Sequence, residues 1–162
     1  CNYFQLYKEI KLRKVKYDYF GYDICKDYID LGLSKYPELN NKYKLLNAEN
    51  TKPRKADCTI ASGVLEHCDK PSKMLENILI TTKKIIIIRT NMDHTRNNFV
   101  LKKGKKEMNY RVFSFKKISK IFQKKGFLPI FILDKASKDS KVRKLIAKNE
   151  YRTMYILVGL KK

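Results

Sequence analysis

The order of apolar segments predicts an α/β layered fold with a mostly parallel sheet and an antiparallel pair of strands at its end. Strand-like and helix-like segments alternate along the chain. Ile85 to Ile88 is apolar at four consecutive positions. A strand apolar on both faces belongs in the middle of a parallel sheet covered by helices. The last two strand-like segments, 127–133 and 151–160, have no helix of crossover length between them, which favours antiparallel pairing. At 162 residues the chain has the length of one domain, and 43% hydrophobic with 12% aromatic residues excludes a disordered tail.

Within residues 1–14, Phe4, Leu6, Tyr7 and Ile10 recur at helical spacing. The aromatic segment 17–24 reads as a strand closing on Asp23. Tyr28, Ile29, Leu31 and Leu33 predict a helix over 27–36, stopped by Pro37. Short strands follow at 43–46 and 57–62, the second through Cys58, Ile60 and Ala61. Met74, Leu75, Ile78 and Leu79 predict a helix over 71–80, and Ile85 to Ile88 the strand after it. Phe115, Ile118, Ile121 and Phe122 share one face of a helix over 115–125, with Ser114 as N-cap and Gly126 as its stop. Residues 91–112 and 134–150 are the least regular. No repeat and no Pro/Gly/Ser linker divides the chain.

Lys and Arg number 37 against 16 Asp and Glu, a formal charge of +21. An excess of this size nominates polyanions: nucleic acid, an anionic membrane surface or a phosphorylated substrate. Only seven of the 37 are Arg, the residue suited to bidentate recognition, and the abundance of Lys, Ile, Asn and Tyr is equally the bias of an AT-rich genome. Between Leu101 and Lys125 cations interleave with Tyr110, Phe113 and Phe115, a pattern open to RNA stacking or to a solvated helix face. Cys1, Cys25, Cys58 and Cys68 form no CxxC pair and have no His at zinc spacing, so free thiols in a reducing cytoplasm and no metal site are expected. No apolar run approaches a membrane span.

Ligands of an open α/β sheet bind outside the carboxyl ends of its strands. Three such ends are polar: Asp23, the Asn47-Ala48-Glu49 stretch, and Ser62-Gly63 running into Val64-Leu65-Glu66-His67. An acid after a strand and before a helix either accepts hydrogen bonds from ribose hydroxyls or caps the helix.

Tyr22-Asp23-Ile24, Asn47-Ala48-Glu49, Ala56-Asp57 and Ser62 through His67 with Pro71 resemble the successive motifs of class I S-adenosylmethionine-dependent methyltransferases. Phe113-Ser114-Phe115, Gly126-Phe127 and Tyr155 to Gly159 are similar to that family's carboxyl-terminal half. The resemblance implies a Rossmann-like sheet with helices on both faces and S-adenosylmethionine as cofactor. It places Asp23 on the ribose, Ile24 against the adenine, Asn47, Ala48 and Glu49 at the adenine edge, and Ser62 and Gly63 beside the methionine moiety. The family's Gly-rich loop has no counterpart here, since the six glycines form no GxG. Residues 1–4 read as the tail of that loop, so a single domain lacking its first strand is expected.

Methyl transfer displaces an activated sulfonium, so alignment supplies most of the rate. A hydroxyl acceptor would also profit from a base, and His94 and His67 are the candidates, with Asp93 and Glu66 behind them. Arg89, at the end of the Ile-rich strand, can pair with a substrate carboxylate or phosphate, or with an acid of the chain itself. The resemblance implies an enzyme acting on a small molecule or glycan precursor, and the cysteine usage a cytoplasmic one. The alternatives are a degenerate fold that holds RNA or another polyanion, and an RNA methyltransferase.

Overall fold

The computed structural model describes residues 4–93, 101–103, 106–108, 111–135, 145–147, 150–151 and 153–162. The chain forms two compact units, Cys1–Pro53 and Arg54–Lys162.

In the first unit, α1 (Gln5–Leu12) is a helix with no buried residue of its own. The residue before it carries the packing: Phe4, left-handed at φ 55°, is fully buried against Gly32. Tyr7 of α1 packs on Tyr19 and Tyr36 with ring centroids 5.4 and 5.3 Å apart. The short strand β1 (Gly21–Asp23) leads into α2 (Lys26–Lys35), which ends where Pro37 opens a 3-10 turn over Pro37–Leu39. Strand β2 (Tyr43–Leu45) returns parallel to β1, with Gly21 opposite Tyr43 and Asp23 opposite Leu45. Ile29, Leu39 and Leu46 complete the core of this unit. Asp23 therefore stands at the carboxyl end of a strand with a helix starting three residues later, as its sequence context requires.

The second unit begins with β3 (Ala56–Ser62), a 3-10 turn at Leu65–His67 and α3 (Pro71–Thr81). Proline at the first helical position of α3 wastes no hydrogen bond, because that N–H would have no intrahelical partner. Next comes β4 (Thr82–Asp93), longer at both ends than the Ile run suggests, because Thr82, Thr90, Asn91 and Met92 are also buried. Strands β5 (Leu101–Lys103) and β6 (Lys106–Met108) pair antiparallel in a segment that the sequence reads as irregular. The two-residue β7 (Phe113–Ser114) precedes α4 (Phe115–Lys124). Ser114 occupies the N-cap position, but its hydroxyl makes no capping hydrogen bond. Gly126, left-handed at φ 76°, ends the helix as expected. Strand β8 (Phe127–Leu133) follows, then a small antiparallel pair, β9 (Leu145–Ala147) with β10 (Glu150–Tyr151), and finally β11 (Met154–Lys161).

The main sheet runs β3-β4-β11-β8, with β7 joined to the end of β4. Its β3/β4 and β4/β7 pairs are parallel, while β11 is antiparallel to both β4 and β8. The antiparallel terminal pair expected from the missing crossover helix is thus β8 and β11. The Ile-rich strand is internal, between β3 and β11. Ile86, Ile88, Phe122, Phe127 and Leu157 are fully buried where α4 meets one sheet face. Gly159 is required there, because a β-carbon would lie 2.5 Å from Phe122 Cε1 and 2.7 Å from Ile86 Cγ2.

Candidate functional site

Asp23 is half-buried, and its Oδ1 accepts a hydrogen bond from Cys25 N–H at 3.0 Å. Its main-chain oxygen accepts from Leu46 N–H at 2.8 Å, tying the acid to the residue after β2. The carboxylate thus forms an Asx-type turn that fixes its direction at the strand end; it does not cap α2, whose N-cap position is Cys25 and which has no side-chain cap. Ile24 is 70% exposed, an aliphatic side chain on the surface beside that acid. Asn47 is exposed, and its Oδ1 accepts from Glu49 N–H at 2.9 Å. Asn50 N–H and Thr51 N–H both donate to the Asn47 main-chain oxygen, so residues 47–51 form a closed turn. Ala48 and Glu49 are half-buried within it.

In the second unit Ser62 is exposed and lies opposite Arg89 in the β3/β4 ladder. Gly63 N–H donates to Arg89 O at 2.9 Å, extending that ladder by one bond. Gly63 is left-handed at φ 65°, and the nearest atom to a β-carbon built there is 4.0 Å away, on Glu66. Glycine at this position answers a backbone conformation rather than crowding by the protein, and leaves open space beside the strand end.

The following turn is held from several directions. Glu66 is fully buried, and Thr90 Oγ1 donates to its Oε2 at 2.9 Å. Arg111 N–H donates to the Glu66 main-chain oxygen at 3.0 Å. The Arg111 guanidinium donates to Cys68 O at 2.9 Å and to Asp69 O at 3.1 Å. Thr90 and Arg111 thus fix the Val64 to His67 motif, though neither stands out in the sequence. His67 is exposed, at the end of the 3-10 turn. His94, the other expected base, lies outside the described residues.

Arg89 is one-third exposed, and its Nε donates to Asp134 Oδ2 at 2.5 Å. Of the two partners open to it, the acid of the chain itself is the one it holds. Asp134 follows β8 in sequence and is 11% exposed along its side chain. The signal that could have located it is an acid directly after a continuously apolar strand. Among the described residues no group of three or more His, Cys, Asp or Glu side chains could hold a metal ion, and no helix is long and apolar enough to cross a membrane.

No protein-family model matches the sequence, and no curated protein is significantly similar to it. Solved structures do share its fold. An S-adenosylmethionine-dependent methyltransferase from Listeria monocytogenes, described as putative, superposes with a TM-score of 0.70 at 12% identity, covering 100% of this chain and 88% of that one. One from Clostridium acetobutylicum gives 0.67 at 12% identity, covering 100% and 82%. Magnesium protoporphyrin IX methyltransferase from Synechocystis, solved with bound S-adenosylmethionine, gives 0.59 at 15% identity over 88% of this chain. The chain spans 59% of the length of that enzyme. At these identities the likeness establishes the fold, which is the Rossmann-like α/β fold of class I methyltransferases.

Proposed function

We propose that this chain is an S-adenosylmethionine-dependent methyltransferase whose acceptor is a small molecule or a glycan precursor. The observation that carries the reading is the fold shared with methyltransferases, two of them crystallised with the cofactor or its product. The residues present suit that cofactor. In the first unit Asp23 offers a carboxylate directed by its bond to Cys25 N–H, fitted to accept from ribose hydroxyls. Ile24 and the turn through Asn47, Ala48 and Glu49 offer apolar surface and polar edge for an adenine. Asn47 Oδ1 accepts from Glu49 N–H and keeps a second lone pair, so the side chain can still accept from an adenine amino group.

In the second unit Ser62 and Gly63 present main chain with open space beside it, suited to the methionine moiety. When bound, S-adenosylmethionine supplies a methyl group already activated on a sulfonium. The chain's own task is then to hold an acceptor in line and to keep water out. His94 and His67 are proposed as proton acceptors for a hydroxyl substrate, His67 being accessible for that role. The buried Glu66, engaged by Thr90, is assigned to shaping the turn that carries His67. Calorimetric titration with S-adenosylhomocysteine tests the cofactor assignment. Saturable one-to-one binding is expected, and the absence of heat at millimolar ligand contradicts it.

A further inference from the structure

At the carboxyl end of β4, Asn91 is fully buried, and neither its Oδ1 nor its Nδ2 has a hydrogen-bond partner among the described residues. An unsatisfied buried donor or acceptor costs about 1–3 kcal/mol, so two in one side chain are a substantial penalty. Asparagine at an interior strand position where an isosteric leucine would fit calls for a compensating partner.

The surroundings restrict what that partner is. Asn91 shares a sheet face with Arg89, two residues earlier on the strand. It lies opposite Met154 of β11, which in turn accepts from Asp134 N–H at 3.1 Å. Arg89 reaches past β11 to Asp134, with which its Nε forms an ion pair. The Asn91 side chain is an uncharged carboxamide, which both donates and accepts. A neutral group with a donor and an acceptor side by side satisfies both of its atoms, whereas an anion, which only accepts, leaves Oδ1 without a donor.

Resting on the methyltransferase reading, we propose that Asn91 binds the methyl acceptor, pairing with a neutral donor–acceptor group such as a primary carboxamide. The pairing adds two hydrogen bonds to the complex and removes both unsatisfied atoms of the free protein.

The test uses the whole chain, labelled with nitrogen-15 and saturated with S-adenosylhomocysteine. Acetamide is the probe and acetate its charged counterpart. The Asn91 side-chain amide signals are assigned by their loss in Asn91→Leu. Acetamide is expected to shift them saturably, with acetate at least about tenfold weaker. In Asn91→Leu, the backbone signals of Thr90 and Met92 should report acetamide affinity reduced by at least about tenfold, with S-adenosylhomocysteine affinity within about twofold of native. The proposal is overturned if acetamide leaves the native Asn91 signals in place, as when an internal water already satisfies both atoms. It is equally overturned if acetate binds as well as acetamide, or if the leucine variant retains acetamide. Where that variant does not fold, the comparison of acetamide with acetate on the native chain decides. Failure of the native chain to bind S-adenosylhomocysteine contradicts the methyltransferase reading itself, and takes this proposal with it.

Discussion

Replacing Asp23 by Asn or by Ala separates the observed turn-forming role of its carboxylate from the proposed contact with the ribose. Oδ1 accepts from Cys25 N–H at 3.0 Å, a local bond that holds the turn between β1 and α2. Asn keeps an oxygen for that bond and exchanges the other oxygen for a donor, whereas Ala removes both. A bond from a ribose hydroxyl to a charged acceptor is worth about 1.5–3 kcal/mol. Loss of that acceptor in Asp23→Asn should therefore weaken S-adenosylhomocysteine binding by roughly 10- to 100-fold at about 1.4 kcal/mol per factor of ten. Asp23→Ala should weaken binding at least as much and also lower unfolding free energy by about 1 kcal/mol, the usual net contribution of one such hydrogen bond. Calorimetry reads the affinities and chemical denaturation the stabilities. Native-like affinity in Asp23→Asn would refute the assignment of Asp23 to the cofactor and leave it as a turn-forming residue alone.

Gly159→Ala puts a methyl group onto Phe122 and Ile86 in the fully buried layer beneath α4. Overpacking of this kind costs about 1–3 kcal/mol, so thermal unfolding should begin several degrees lower. Gly32→Ala, whose β-carbon would overlap the Phe4 ring, should expose Phe4 and speed proteolysis within the first unit; unchanged cleavage would contradict that packing. Burial, with a smaller contribution from Tyr17, pushes the Tyr19 hydroxyl up to about 12. The folded state thus prefers neutral Tyr19. Its contribution of about 2–3 kcal/mol is complete below pH 10, where the unfolded tyrosine begins to ionise, and is lost as pH rises toward 12. Ultraviolet titration of native protein and Tyr19→Phe should differ by one late-ionising phenol.

The apolar patterns made the architecture legible. The four-isoleucine run marked the internal strand, the amphipathic spacing of Phe115, Ile118 and Phe122 marked α4, and Gly126 marked its end. Polar structure was harder to read because it depends on partners distant in sequence. Arg89 shows its charge but not that an acid 45 residues later neutralises it. Ser114 occupies a cap position without capping, since position does not orient a hydroxyl. Arg111 looks like one more surface cation in a basic chain, yet it holds the turn after β3 through three hydrogen bonds. Asn91 reads as the start of a loop because asparagine favours turns, and only the continuation of β4 reveals it as buried. The positions of the strand-end acid, small residues and glycine were visible because alternation of strand and helix fixes where the strands end.

The central claim is that the chain binds S-adenosylmethionine. Titration of the chain with S-adenosylmethionine in a calorimeter tests it most directly. A saturable exothermic isotherm of unit stoichiometry, weakened in Asp23→Asn, is the predicted result; a flat trace at millimolar cofactor with folded protein would contradict it.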